Sequence, residues 1–272
     1  MNRPGRAEPG EVAISPEVEE TVGGIPVFRP AALEDVPGLV AGITARDADE
    51  RRGGRGGRGG AGDFGLSTGG AAWVVAARYE ALAVGLGFGA ACVCRQVHGT
   101  RLVAAGDAPS AGLWIPGEAD GFVGAASGRL FAVTVADCAP VYLIDPDTRA
   151  FALLHAGWRG AASGILGRAI ETLRDVHGRP ASALHLHIGP AICGDCYEVG
   201  PEVPRAFGRV VEGPTTIDVG SELVRQALAF GVVPDRISRS ELCSRCDGER
   251  LHSHRGGGER AGRMAAWLGW ST

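Results

Sequence analysis

Residues 129–160, RLFAVTVADCAPVYLIDPDTRAFALLHAGWRG, constrain the fold of this chain most strongly. Two apolar runs rich in β-branched residues flank a turn at residues 145–147, a pattern that predicts two buried strands joined by that turn. Cys138 lies in the first predicted strand and His155 at the end of the second. The segment therefore predicts a sheet at the centre of the fold, with reactive side chains near its rim.

The remaining periodicity adds strands and helices in irregular order. Strands are predicted at 25–29, 38–45, 91–97 and 184–192, and helices at 71–86, 161–177 and 221–230. Because strands and helices do not alternate strictly, we expect a mixed-sheet domain of the α/β (α+β) class. The 272 residues suit one large domain, predicted over residues 23–272, after a flexible tail at residues 1–22.

The charge composition excludes some chemistry. All 27 basic residues are Arg, since the sequence contains no Lys, and the formal net charge is −4. A Schiff-base lysine and a P-loop lysine are therefore excluded, and a bound phosphate would be held by Arg, backbone N–H groups or metal. The net charge gives no general case for a nucleic-acid or membrane partner.

The N-terminal residues show no apolar signal-peptide core, and the longest apolar stretch, residues 81–94, is too short to cross a bilayer. We expect a soluble cytoplasmic protein, a monomer or a small homo-oligomer. The seven cysteines then indicate thiols and ligands more than a disulfide framework. The RGG-rich residues 51–62 predict a flexible solvated loop, with RNA binding as the alternative.

Three segments place a His or Cys where an apolar run ends beside Gly or Pro: QVHG at 96–99, VTVADCAP at 133–140 and LLHAGWRG at 153–160. Two imidazoles and a thiolate, from His98, His155 and Cys138, suit Zn²⁺ and leave a fourth position for water or substrate. From the residues alone, a buried hydrophobic Cys and hydrogen-bonded His side chains remain the alternative.

The same segments carry a resemblance. QVHG, ADG at 119–121, TVADCAPV, HAGWRG, IGPAICGDCYEVG at 188–200 and GRMAA at 262–266 together resemble the YfiH family, also called laccase-domain or polyphenol-oxidase proteins. The resemblance covers roughly residues 38–268, and the combination of ADC with HAGWRG is highly specific. It implies an α/β (α+β) fold of layered mixed sheets flanked by helices, similar to that of cytotoxic-necrotizing-factor-like toxins.

The resemblance also implies chemistry. It implies a zinc ion held by His98, Cys138 and His155, with copper as an alternative metal. The implied activities are phosphorolysis of adenosine, inosine and methylthioadenosine, and deamination of adenosine. We expect His98, Cys138 and His155 to serve catalysis together with Asp137, which could orient a His ligand, transfer a proton or simply hold a turn.

The chain departs from the family pattern at three arginine segments. The family's TTRxGG is ITARDADERRGG here, its NR pair is Ala77-Arg78, and its FFSYRRD is LHSHRGG. These matches make Arg46, Arg78 and Arg255 the expected phosphate-binding or substrate-binding residues. The missing aromatic residues before Arg255 put stacking of a purine ring in doubt.

Other functions stay open at this point. Cys138 and His155 could form a metal-free Cys–His hydrolase, for example one that edits a peptidoglycan precursor. A copper polyphenol oxidase would need several His-x-His pairs, and the chain has only two, His185/His187 and His252/His254. Finally, the CxxC pairs at 193–196 and 243–246 have the form of a structural zinc site, although their separation exceeds that of a usual zinc ribbon.

Overall fold

Two seven-stranded sheets stacked face to face form the centre of the protein in the computed structural model, which describes residues 12–47, 62–68 and 70–272. In order across the first sheet, the strands are β1 (Ala13–Ser15), β15 (Ile237–Ser240), β12 (His185–Ile188), β10 (Ala139–Ile144), β11 (Ala150–Ala156), β8 (Gly121–Ala125) and β6 (Val103–Ala104). In order across the second sheet, they are β2 (Glu17–Val22), β3 (Ile25–Pro30), β4 (Leu39–Thr44), β16 (Met264–Trp270), β9 (Arg129–Val135), β5 (Ala90–Val93) and β7 (Gly112–Trp114).

Both sheets mix parallel and antiparallel pairs; β10 and β11 are antiparallel, whereas β12 and β15 are parallel. A separate short pair joins β13 (Glu198–Val199) to β14 (Thr215–Thr216). Among the described residues, the α-helices are α1 (Ala31–Glu34), α2 (Ala72–Gly85), α3 (Trp158–Ala162), α4 (Ile165–His177), α5 (Glu202–Ala206), α6 (Val219–Ala229) and α7 (His254–Gly257). The predicted mixed-sheet α/β fold flanked by helices is confirmed.

Alternation along the strands explains the layers, because successive side chains of a strand point to opposite faces. In β9, Phe131 and Val133 lie in the core between the two sheets, while Leu130 and Ala132 pack in the cluster that includes α2. The outer face of the first sheet packs against α4 and α6. Both faces of each sheet are thus covered, which accounts for the almost uninterrupted apolar sequence of β9, β10 and β11.

The segment predicted as one strand around Cys138 is two strands in two sheets. β9 ends at Val135 in the second sheet, and β10 begins at Ala139 in the first. The break has a backbone cause: Asp137 has a φ of 88°, a left-handed conformation that a continuous strand cannot contain. Cys138 therefore lies in the link between the sheets rather than inside a strand.

Three other predictions need correction or limits. The flexible tail expected over residues 1–22 is wrong for 13–22, since these residues form β1 and β2 by pairing with β15 and β3. Residues 1–11 of the predicted tail lie outside the described residues. The same holds for residues 51–61 of the predicted flexible loop, whereas its last residue, Gly62, is buried. The helix expected over 161–177 is two helices, because Gly164 has a φ of 85° between α3 and α4.

The C-terminal strand β16 was not predicted, yet it lies in the middle of the second sheet between β4 and β9. All seven of its residues are buried. Among the residues that the structure describes, no helix combines the length and apolarity needed to cross a bilayer.

Candidate metal centre and active site

His98, Cys138 and His155 come together where the two sheets meet. One potential ligand atom of each lies within 4.8 Å of the others. The rings of His98 and His155 are 4.8 Å apart between centroids and meet edge to face at 75°. The three residues come from three separate segments, so the fold assembles the cluster from distant parts of the chain.

Asp120 fixes the loop that carries His98. Its buried carboxylate accepts hydrogen bonds from the backbone N–H groups of Val97 at 3.3 Å, His98 at 2.9 Å and Gly99 at 2.7 Å. These three hydrogen bonds also stabilise the turn at His98, whose φ is 59°. Three successive N–H groups around one oxygen pair form an anion-binding concavity, here filled by the protein's own carboxylate.

The same carboxylate orients His155. Nδ1 of His155 lies 2.9 Å from Asp120 Oδ1, so the Nε2 side of the ring is left for a metal or a substrate. His155 is also fixed through its main chain, since its N–H donates to the Asp120 carbonyl at 2.8 Å. Asp120 thus orients one imidazole directly and places the other through its loop.

The charges of this cluster are coupled. Desolvation alone would raise the pKa of the Cys138 thiol, but the adjacent His155 and His98 imidazoles outweigh it and lower the pKa to about 6. Desolvation likewise disfavours protonated His155, yet Cys138 and Asp120 raise its pKa to about 9. These shifts favour a thiolate–imidazolium pair of Cys138 and His155 when no metal is bound.

Gly157 gives the cluster its space. A Cβ at this position would lie 2.9 Å from Cys138 Sγ and 3.0 Å from His98 Cδ2, both closer than ordinary van der Waals contact. Gly157 also directly precedes α3, with an extended backbone that any residue could adopt. The glycine is therefore required by packing against the ligands and not by its own conformation.

The donor set fits a zinc ion. Zn²⁺ binds imidazole nitrogen and thiolate sulfur at about 2.0–2.3 Å, so its ligand atoms must lie within a few ångströms of one another. The three atoms meet that condition, the thiol has a lowered pKa, and Asp120 holds the far nitrogen of one imidazole. Three ligands of this kind match a catalytic site, in which one position stays open.

A cavity of about 640 Å³ opens over the cluster, within the size range of small-molecule sites. Its walls carry two aromatic residues, Trp158 and Tyr197, and the basic residues Arg95, Arg159, Arg255 and Arg263. The Arg255 guanidinium lies 5.2 Å from the Tyr197 ring centroid, and that of Arg159 lies 4.3 Å from Trp158. The cavity thus offers aromatic faces and cations next to the three ligands.

Of the three arginines expected to bind substrate, only Arg255 lines this cavity. Arg46 Nη1 donates to the Gly248 carbonyl, and its side chain lines a separate cavity of about 340 Å³. Arg78 Nη1 donates to the Asp63 carbonyl. The structure therefore places Arg46 and Arg78 as supports of loops, away from the cavity lining.

Asp137 does not orient a histidine. Its Oδ1 accepts from the hydroxyls of Ser244 and Ser253, each at 2.6 Å, and its Oδ2 accepts from the Arg255 backbone N–H at 2.6 Å. The orienting role expected for Asp137 thus belongs to Asp120. Asp137 instead positions the segment that carries Arg255.

Several site residues were missed by sequence reasoning. Asp120 stands in the ADG motif and Arg159 in HAGWRG, so both lay inside recognised motifs without an assigned role. Tyr197 stands in the IGPAICGDCYEVG segment. It supplies an aromatic face to this cavity, next to the Arg255 guanidinium.

The two His-x-His pairs do not build a copper cluster. His187 Nδ1 lies 2.9 Å from Ser238 Oγ, and its Nε2 is 3.5 Å from Glu17. Burial lowers the pKa of His252 to about 4, with the Arg46 charge adding to the effect. In residues 12–47, 62–68 and 70–272, the groups of closely spaced metal ligands are the His98–Cys138–His155 cluster and a four-cysteine cluster.

Comparison with known proteins gives a consistent result. The family model described as "Multi-copper polyphenol oxidoreductase laccase" matches residues 48–271. The purine nucleoside phosphorylase YlmD of Geobacillus stearothermophilus is 31% identical over 252 residues, covering 85% of this chain and 90% of that protein. The adenosine deaminase RL5 of an unknown prokaryotic organism is 34% identical over 156 residues, covering 53% of this chain and 59% of that protein. The crystal structure of YlmD from Geobacillus stearothermophilus superimposes with a TM-score of 0.79 at 28% identity, over 94% of this chain and all of that one.

Proposed function

The chain belongs to the multi-copper polyphenol oxidoreductase laccase family, the YfiH-type laccase-domain proteins, and from this premise we propose that it is a zinc-dependent purine nucleoside phosphorylase that also deaminates adenosine. The observation that carries the proposal is the joint placement of two imidazoles and a thiolate below a cavity with cationic and aromatic walls. Relatives named purine nucleoside phosphorylase and adenosine deaminase support the substrate class.

The proposed zinc ligands are His98, Cys138 and His155. When bound, Zn²⁺ supplies Lewis-acid chemistry, polarising an oxygen or nitrogen that enters its open position. Asp120 keeps His155 in the tautomer that presents Nε2, and it keeps His98 in place through the backbone of the loop.

Tyr197 and Trp158 are the proposed contacts for the purine ring, because both present aromatic surface to the cavity. Arg159 and Arg255, which lie against these rings, are the proposed phosphate ligands. A guanidinium offers planar paired donors that match phosphate oxygens. Arg46 and Arg78 are left out of this assignment because neither lines the cavity.

The two reactions differ in the nucleophile. In phosphorolysis a phosphate oxygen bonds to the anomeric carbon while the glycosidic C–N bond breaks, and the base leaves with a proton. In deamination water replaces the amino group of adenosine, giving inosine and ammonia. The proposed role of the Trp158 and Tyr197 rings, which line the cavity, is to cover the sugar and base during phosphorolysis.

The test is a chromatographic assay of adenosine, inosine and methylthioadenosine, each with and without phosphate. We expect phosphate-dependent release of free base and phosphate-independent formation of inosine from adenosine. Cys138→Ala should lose the zinc bound at His98 and His155 together with both activities, whereas Cys92→Ala, which removes a buried core thiol, should retain them. Full turnover by Cys138→Ala protein would refute the proposal.

One observation favours a second candidate, a metal-free Cys–His hydrolase. Asp120, His155 and Cys138 form a linked series in which the thiol pKa is lowered to about 6, as an activated cysteine nucleophile requires. A muramyl-serine nucleotide tested beside the nucleosides separates the two. Amide hydrolysis that survives complete removal of metal would favour the hydrolase over the phosphorylase.

A further inference from the structure

The fold unites the two CxxC pairs. Residues 193–196 follow β12 and residues 243–246 follow β15, and these strands are parallel neighbours. Their ends therefore meet at one edge of the first sheet. A parallel bridge between Ala191 and Cys243, with Ser244 N donating to the Ala191 carbonyl at 3.0 Å, brings the two segments together. The parallel pairing of β12 and β15 thus brings together two CxxC motifs that lie far apart in the sequence.

The four thiols have the spacing of a tetrahedral metal site. Sγ atoms of Cys193, Cys196, Cys243 and Cys246 all lie within 4.8 Å of one another, and those of Cys196 and Cys246 are 3.4 Å apart. Zn–S bonds of about 2.3 Å place the sulfurs of a tetrahedron about 3.8 Å apart. A disulfide requires about 2.0 Å, and all four cysteines are free. The arrangement therefore suits one ion shared by four sulfurs.

Both turns present their sulfurs to the same point. Cys196 N donates to the Cys193 carbonyl at 3.1 Å, which closes the first turn. In the second, Cys243 N donates to Asp247 Oδ2 at 2.9 Å. The backbone N–H groups of Cys193 and Cys246 approach Cys243 Sγ at 3.3 and 3.4 Å, and such donors stabilise a thiolate.

We propose that these four cysteines bind a structural Zn²⁺, separate from the ion at His98, Cys138 and His155. Four thiolates close the coordination sphere, so the ion has no open position and serves architecture rather than chemistry. A tetrahedral all-sulfur site suits zinc or iron among the common metals, and the proposal commits to zinc.

The ion would hold one wall of the cavity. Tyr197 directly follows Cys196, and Arg245, between the other two cysteines, donates from Nη1 to the Cys196 carbonyl at 3.0 Å. Ser244, next to Cys243, donates to Asp137, which also holds the Arg255 backbone. Zinc at the four cysteines thus stabilises the placement of Tyr197 and Arg255, and only this consequence rests on the proposed function.

The test is metal analysis of the full chain, purified without chelator. We expect two equivalents of zinc in the wild type and one in Cys138→Ala. The double variant Cys196→Ser/Cys246→Ser should also contain one, and Cys92→Ala, outside both clusters, should contain two. One equivalent in the wild type that disappears in Cys138→Ala would overturn the four-cysteine site while leaving the proposed function intact.

Cobalt substitution of Cys138→Ala protein keeps the test valid even if the cysteine variants fail to fold, because all four cysteines are then intact. We expect the strong thiolate-to-cobalt charge-transfer bands and the visible bands of a tetrahedral four-sulfur site. Removal of that metal should lower Tm by several degrees and expose four additional thiols to alkylation. Absence of the bands, recovery of iron in place of zinc, or disulfides in freshly purified protein would each refute the assignment.

Discussion

Gly157→Ala tests the geometry of the proposed metal centre with one methyl group. The added Cβ would lie 2.9 Å from Cys138 Sγ and 3.0 Å from His98 Cδ2, whereas ordinary contact begins at 3.4 Å. The sulfur must therefore retreat by at least about 0.5 Å and the imidazole by about 0.4 Å. Two of the three proposed ligands are displaced at once, although neither is altered chemically.

The displacement is large on the scale of metal coordination. Metal–ligand distances in working sites fall within about 0.2 Å of their ideal values. We expect zinc affinity to fall about 10- to 100-fold, the loss that accompanies removal of groups orienting metal ligands. This corresponds to about 1.4–2.7 kcal/mol. The fold itself should tolerate the change, because Gly157 has a φ of −72°.

Competition against a chromophoric chelator measures the affinity, and a thermal melt of the metal-free protein checks folding. Gly106→Ala is the matched control, since a Cβ there meets no atom within 4 Å. We expect wild-type affinity in the control. Unchanged zinc affinity in folded Gly157→Ala would refute the placement of the metal between Cys138 and His98.

Three further predictions follow from the same contacts. Asp120→Asn should weaken zinc binding by about 10- to 100-fold, because an amide cannot accept hydrogen bonds from His155 and from all three backbone N–H groups of Val97, His98 and Gly99. Chelator competition measures the zinc affinity, and wild-type affinity in the variant would contradict the orienting role of Asp120. In metal-free protein, alkylation of Cys138 by iodoacetamide should rise with pH around a midpoint of about 6, whereas Cys92 should stay inert because burial raises its pKa to about 12. Peptide mass spectrometry follows the alkylation of both residues. A midpoint near the pKa of an ordinary thiol would contradict the thiolate–imidazolium pair. His252, with its pKa lowered to about 4, binds a proton more weakly in the folded protein than in the unfolded chain. The free energy of unfolding should therefore decrease by up to about 3 kcal/mol as pH falls from about 6.5 to 4. Urea titrations of wild type and His252→Gln measure this decrease, and identical pH dependence of the two proteins would refute it.

The clustering of His98, Cys138 and His155 could be predicted because each residue lies within a short motif at the end of an apolar run. The orienting carboxylate could not be chosen as easily. Both Asp120 and Asp137 stand in motifs, and Asp137 directly precedes a ligand. What decides between them is which backbone N–H groups each carboxylate faces, and that depends on how three separated segments pack. Proximity in sequence therefore suggested Asp137 for the orienting contact that Asp120 makes, whereas the alternative hydrogen-bonding role of Asp137 matches its contacts.

The positions of the Arg46 and Arg78 side chains could not be predicted for a related reason. Correspondence of motifs locates a residue along the chain but does not fix where a long side chain ends. Arg46 and Arg78 each donate a hydrogen bond to a carbonyl of a neighbouring loop. The Arg159 guanidinium instead lies over the Trp158 ring and lines the cavity. Such contacts depend on the local course of loops, which hydrophobic periodicity does not encode.

The order of the strands could not be predicted from the sequence pattern either, and it determines where Cys138 lies. A break at Asp137 sends β9 and β10 into different sheets and leaves Cys138 at the junction. The carboxylate of the same residue accepts from Ser244, beside Cys243, and from the backbone of Arg255. One strained aspartate thus sets the position of a proposed catalytic ligand and anchors the segment that carries the proposed structural zinc. The two proposed metal sites are therefore linked through Asp137, because Ser244 beside Cys243 donates to its carboxylate and Cys138 directly follows it in the chain.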